Sequence, residues 1–275
     1  MNHWPDGARC AVMLTFDFDA ESLWLARDPA LRDRPGVMSQ GEYGARVGVP
    51  RILDILAAER VPATFFIPGW VVEHHPEPCR AIRDAGHEIG HHGYLHEWAD
   101  PADPDGERRA FTRGLEALDR VLGVRPVGYR APAWELTPLT IPLVHEHGLI
   151  YSTNLMGDVY PYAHPGTGVI ELPVQWTLDD APYFLFHPRV APRPLQSPDV
   201  VFGIWRDEFL GMHEWGGLFN LTCHPQVIGH PSRLLMLRRL IRFIKEHDGV
   251  WWARGHDVAA AWRAGATSAP PSRRR

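Results

Sequence analysis

Short apolar runs recur along the chain at residues 10–16, 63–67, 87–90, 127–129, 149–152, 169–172, 218–222 and 250–252. The first, Cys-Ala-Val-Met-Leu-Thr-Phe, carries no polar alternation, which suits a strand buried on both faces. Helical spacing fills most of the intervals. Residues 49–59 place Ile52, Leu53, Ile55 and Leu56 at helical intervals, and 107–122 place Phe111, Leu115, Leu118 and Leu122 on one face. Further helices are expected over 77–85, over 138–147 with a break near Pro142, and over 199–215 and 234–246, while 21–48 reads as an irregular excursion. Strands alternating with helices favour a parallel sheet. Seven or eight such repeats in about 250 residues are the size of a (β/α) barrel, closed or distorted. No composition shift marks a second domain, so residues 1–265 read as one domain and 266–275 as a disordered tail.

Composition narrows the function classes. With 45% hydrophobic and 22% charged residues in 275, the chain can bury a full core. A net charge of −5 offers no electrostatic footing for nucleic acid or an anionic membrane. Cys10, Cys79 and Cys223 are odd in number and far apart, which argues for a reducing compartment. The start of the chain carries no basic-then-apolar leader, and no apolar run is long enough to span a bilayer, so a cytoplasmic location is expected.

The residues that close the strands carry the chemistry. Asp17 and Asp19, His92 and His96, Arg130, and His224 each follow the C-terminal end of an expected strand. In a barrel those ends share one rim, so residues from both ends of the chain can surround one pocket. A helical turn after Ile89 would place His92 and His96, four residues apart, on one face. Two imidazoles joined by the Asp19 carboxylate, with positions left open for water, form a hydrolytic metal arrangement. Asp17 is then the candidate base and His224 the candidate acid that protonates a departing nitrogen. Arg130 can orient Asp17, and Asp179 or Asp180 can orient His224 from behind. His91, by contrast, reads as a packing or supporting residue.

Asp17-Phe18-Asp19, His92-Gly93-Tyr94-Leu95-His96, Arg130-Ala131-Pro132-Ala133-Trp134 and Leu221-Thr222-Cys223-His224 resemble, in order, the motifs of the polysaccharide deacetylase, or NodB-homology, family. The resemblance covers residues 10 to 255 and implies a distorted (β/α)7-8 barrel that hydrolyses non-peptide C–N amide bonds with a divalent metal, zinc foremost. It maps the metal ligands to Asp19, His92 and His96, the base to Asp17 and the acid to His224. Two departures stand out. Phe18 separates the aspartates, with Ala20-Glu21 following, and Gly93 stands where the family commonly has Ser or Thr. Both resemble a branch containing peptidoglycan deacetylase-like proteins, cyclic imide hydrolases and allantoinase-like enzymes, as does the stretch from Pro173 to Asp180. That branch also implies a homo-oligomer, dimer or tetramer.

The expected substrate is accordingly a small cyclic imide, ureide or amide. An N-acetylated sugar or peptidoglycan fragment is the alternative, and a non-catalytic metal- or ligand-binding barrel is the reading from another class. Glu21, Trp70, Tyr94, Trp134, Glu135 and Trp176 are the candidate substrate contacts, although aromatic residues near strand ends more often serve packing.

Overall fold

The strands, in chain order, are β1 (Cys10–Asp17), β2 (Thr64–Ile67), β3 (Glu88–His91), β4 (Gly128–Tyr129), β5 (Tyr151–Ser152), β6 (Tyr162–Ala163), β7 (Ile170–Glu171), β8 (Leu218–Cys223) and β9 (Val250–Trp252). They belong to a computed structural model that describes residues 4–188 and 191–268. The sheet runs in the order β6-β7-β5-β4-β3-β2-β1-β8, with β9 pairing the first half of β1. All pairings are parallel except β6 with β7, which is antiparallel. Around the sheet lie α1 (Ser22–Leu25), α2 (Pro35–Tyr43), α3 (Val49–Glu59), α4 (Gly69–His74), α5 (Pro76–Asp84), α6 (Pro104–Leu122), α7 (Thr140–Glu146), α8 (Ala181–Phe184), α9 (Pro198–Trp215), α10 (Pro225–Ile228), α11 (Pro231–Lys245) and α12 (Gly255–Ser268). This is the distorted (β/α) barrel expected. Its sheet curls into a half-barrel, and the segment after β7 meets the free edge of β8. There Asp179 bridges Thr222 in parallel, and the Asp180 N–H donates to the Thr222 carbonyl at 3.1 Å.

Side-chain alternation along the strands explains where the site forms. On β1, Cys10, Val12, Leu14 and Phe16 pack outward in one cluster with Ile52 and Leu56 of α3 and Leu237 and Ile241 of α11. Ala11 and Met13 face inward, against Phe66, Tyr151, Leu172 and Leu218. The same parity carries Thr15 and Asp17 onto the inner face. On β8, Phe219 and Leu221 join the outer cluster, which leaves Leu218, Asn220 and Thr222 inside. Along β1 and β8 the inner face is therefore apolar where the strands begin and polar where they end.

Several local expectations are corrected. Residues 21–48 are mostly helical: α1, α2 and a π-helical turn at Gly44–Gly48. Glycine suggested irregularity there, yet Gly48 is required for packing, since a Cβ would lie 2.3 Å from the Pro225 carbonyl oxygen. Pro142 does not break α7 because it falls in the first turn, where its missing N–H is not needed. Strand β6 and helices α4 and α12 were not anticipated; β6 and α4 are too short to show a period. Helix α12 runs to Ser268, and the rest of the expected tail lies outside the described residues. Among the described residues no helix is long and apolar enough to cross a membrane.

Candidate metal and catalytic site

The strand ends deliver the residues named above to one rim. Asp17 closes β1, His92 follows β3, Arg130 follows β4 and His224 follows β8. Neighbouring His91 and His92 point to opposite sides of the strand. The His91 ring meets Phe111 edge-on at 4.5 Å between centroids and Tyr129 at 5.1 Å. Burial pulls its pKa down to about 3, so it packs as a neutral ring.

The helical turn expected after Ile89 does not form. Residues 92–96 make an irregular loop in which His96 adopts left-handed backbone, φ 63°. The Glu97 carboxylate accepts from the Tyr94 and Leu95 N–H groups at 3.1 and 2.7 Å, so a side chain satisfies the donors that a helix would have used. The two imidazoles still converge, with ring centroids 5.1 Å apart.

Asp19 is fully buried among them. Its Oδ1 lies 3.4 Å from His92 Nε2, and its Oδ2 lies 3.7 Å from His96 Nε2 and 3.9 Å from His224 Nε2. Gln226 Nε2 donates to Oδ2 at 3.2 Å. Burial alone would raise the Asp19 pKa. The charges of the neighbouring His96, His224 and His92 outweigh it and hold the carboxyl well below the usual range. His92 Nδ1 donates to the Arg130 carbonyl at 2.6 Å. A carbonyl only accepts, so the proton sits on Nδ1 and leaves the Nε2 lone pair for a cation.

The donor set fits a divalent cation. Asp19 Oδ1 and His92 Nε2, which face each other, are buried without hydrogen-bond partners. One ligand atom from each of Asp19, His92 and His96 lies within 4.8 Å of the others. Tetrahedral coordination at about 2.0–2.2 Å sets ligand atoms about 3.3–3.6 Å apart. Asp19 Oδ1 lies 3.4 Å from His92 Nε2, and Asp19 Oδ2 lies 3.7 Å from Nε2 of His96, the ring nitrogen that approaches the carboxylate.

Two buried pairs flank this group. Arg130 Nη1 donates to Asp17 Oδ1 at 2.8 Å and to Thr15 Oγ1 at 2.7 Å, while Asp17 Oδ2 turns toward His92 Nε2 at 3.9 Å. Across the rim, His224 Nδ1 donates to Asp180 Oδ1 at 2.6 Å, and the His224 N–H donates to Asp180 Oδ2 at 3.0 Å. Burial pulls the His224 pKa down, but the charges of Asp180 and Asp179 prevail and raise it well above its ordinary value. Asp179 lies 3.8 Å from the same nitrogen.

A cavity of about 450 Å³ opens over His96 and His224, lined also by Asp179, Trp98, Ala133 and Trp176. Trp134 backs that wall by packing on Trp176 at 4.4 Å between centroids. Other expected substrate contacts lie elsewhere. Glu21 Oε2 is 2.8 Å from His75 Nε2. Trp70 stacks on His74 at 3.8 Å. The Tyr94 hydroxyl donates to Glu73 at 2.7 Å and accepts from Arg113 at 2.6 Å, on the outside of the loop. Glu135 is exposed and outside the cavity lining.

Sequence reasoning missed Thr15, Thr153, Asn220, Gln226 and Trp98. Counting alternation inward from Asp17 would have found Thr15. Trp98 sits in a loop with no periodic signal. Ala20, His96, Ala133 and Trp134 all adopt positive φ, between 48° and 63°. Each costs about 1 kcal/mol or more, and all four border this site.

Comparison with known proteins agrees with this geometry. A profile of the polysaccharide deacetylase family matches residues 7–152. The peptidoglycan deacetylase of Helicobacter pylori is 32% identical over 273 residues, spanning 88% of this chain and 92% of that one. The crystal structure of a candidate polysaccharide deacetylase from Mycobacterium smegmatis superposes with a TM-score of 0.93 at 47% identity, over 99% of this chain and 96% of that one. The crystal structure of Puue allantoinase superposes with a TM-score of 0.83 at 27% identity, over 96% and 93%. The chain therefore belongs to the polysaccharide deacetylase family and is a hydrolase acting on carbon–nitrogen bonds.

Proposed function

We propose that the protein is a metal-dependent hydrolase of non-peptide C–N amide bonds, with zinc as the metal and a small cyclic imide, ureide or amide as substrate. The observation that carries this reading is the buried group Asp19, His92 and His96, with unpartnered ligand atoms beneath a cavity of about 450 Å³. That volume suits a small molecule. A divalent cation held there would polarise the amide carbonyl and acidify water. Asp17, its direction fixed by Arg130, takes the proton from the attacking water through Oδ2. His224, oriented by Asp180, gives a proton to the departing nitrogen, which is a poor leaving group without it. Trp176, backed by Trp134, forms the wall against which a flat ring packs.

The name of the Helicobacter relative favours a second reading, N-deacetylation of an acetylated sugar or peptidoglycan fragment. A non-catalytic barrel is disfavoured, since a purely structural cation needs neither the Asp17–Arg130 nor the His224–Asp180 pair.

Metal content and turnover, measured together, test the reading. Wild-type protein should carry about one divalent ion per chain, and Asp19→Ala and His92→Ala should lose ion and activity together. Full occupancy in both variants would sink the ligand assignment. Succinimide and allantoin set against acetylated chito-oligomers then separate the substrates. Turnover of the oligomers alone would replace the first reading with the second.

A further inference from the structure

The lining of the cavity includes two guanidinium groups. Arg27 and Arg193 both line it, and among the described residues neither makes an ion pair within 4.0 Å. Arg27 lies 5.7 Å from the Trp24 ring centre and 5.9 Å from that of Trp98, which holds its charge at the aromatic rim. Burial lowers the Arg27 pKa; Asp19, deeper in, opposes that, and the neighbouring Arg193 charge lowers it further. The cavity thus combines three kinds of group. His96, His224 and Asp179 share its lining with apolar Leu23, Leu185 and Val227 and with the two like charges. Adjacent unpaired guanidinium groups repel unless an anion bridges them, and their planar donor forks match a carboxylate.

We propose that the cavity takes an amide or cyclic ureide whose non-reacting end carries a carboxylate, bound by Arg27 and Arg193. The inference rests on the amide-hydrolase reading for which end of the ligand reacts, but recognition of the anion needs no turnover. Neither a neutral imide nor a neutral acetylated sugar would use the two charges.

Binding to chelator-treated protein provides the test, with hydantoin-5-acetic acid and its neutral partner hydantoin-5-acetamide as calorimetric probes. The acid should bind about tenfold more tightly than the amide, with the advantage shrinking as salt is added. Arg27→Gln and Arg193→Gln should each reduce that preference, and the double variant should abolish it. Both residues keep much of their surface in solvent, Arg27 being only partly desolvated, so the unfolding midpoint should move little. Equal affinity for the two probes, binding of neither at millimolar concentration, or a preference that survives in the double variant would each overturn the proposal. Turnover by metal-loaded protein is read separately. Acid preference without hydrolysis of either ring would count against the hydrolase reading and leave the anion site standing; hydrolysis of both with equal kcat/KM would do the reverse.

Discussion

Arg130 and Asp17 meet inside the barrel, Nη1 to Oδ1 at 2.8 Å, with exposures of 0% and 3%. Arg130 also donates to the hydroxyl groups of Thr15 and Thr153 and rests 4.4 Å above the Phe66 ring. Its carbonyl fixes His92. One residue therefore ties the candidate base to a candidate metal ligand, and it can do so because β3 and β4 are adjacent.

Breaking that tie should cost stability as well as activity. Arg130→Met leaves the Asp17 carboxylate buried without its counter-ion, which costs about 3–5 kcal/mol. Asp17→Asn keeps the hydrogen-bonded shape and should retain the metal while turnover falls about 10²-fold or more. Urea unfolding and metal analysis of the two variants separate these effects. Wild-type turnover in Asp17→Asn would rule it out as the base.

Asp180→Asn should lower kcat about 10²- to 10⁴-fold with little change in KM or metal content. The substitution keeps an oxygen for the His224 N–H but removes the charge that steadies the imidazolium. An unchanged kcat would show that His224 does not depend on this pair for proton delivery.

The strand-end residues were legible because a parallel barrel brings the C-terminal ends of its strands to one rim, and alternation then orients them. Asp17, Asp19, His92, His96, Arg130 and His224 needed only the strand positions to be foreseen as neighbours. Tyr94 and Trp98 were not legible in that way. Both lie in the loop after β3, whose course is set by the Glu97 carboxylate and left-handed His96 rather than by any period. That loop turns Tyr94 toward Arg113 and away from the cavity, while Trp98 reaches the cavity wall. The segment 21–48 misled for a related reason: Gly44 and Gly48 serve close packing against α10, and Gly41 against the backbone of Ala20 and Glu21, which local propensity does not register.

Glu88 anchors the opposite end of the barrel, accepting from Thr64 Oγ1 at 2.9 Å, the Tyr151 hydroxyl at 3.0 Å and the His256 N–H at 3.0 Å. Burial raises its pKa above the ordinary 4.5, and those three hydrogen bonds only partly oppose the rise. In the window between 4.5 and the raised folded value, the native state binds more protons than the unfolded chain. Stability from this group is therefore fully present below pH 4.5 and declines as pH rises through the folded pKa. Glu88→Gln abolishes that titration, so it should cost less stability near neutral pH than at pH 4.5. Urea unfolding of both proteins at the two pH values checks the sign; a larger cost near neutral pH would refute it.

Gly114 couples the helical layer to the loop that carries His92 and His96. It lies on α6, and a Cβ there would sit 2.3 Å from the Gly93 carbonyl oxygen and 2.4 Å from His91 Cε1. The first neighbour is backbone and the second is a ring wedged against Phe111 and Tyr129, so neither can yield cheaply. Replacing a helical glycine by alanine gains about 0.8–1.0 kcal/mol of propensity. Overpacking of this kind costs about 1–3 kcal/mol, so the clash prevails. Gly114→Ala should therefore lower the unfolding free energy and, by pushing residues 92–96, weaken retention of the metal in a chelator competition. Gly203 on α9 is the control, since a Cβ there meets nothing within 4 Å and Gly203→Ala should stabilise. If Gly114→Ala stabilised as Gly203→Ala does, with metal retention unchanged, the packing of α6 would not govern the geometry of His92 and His96.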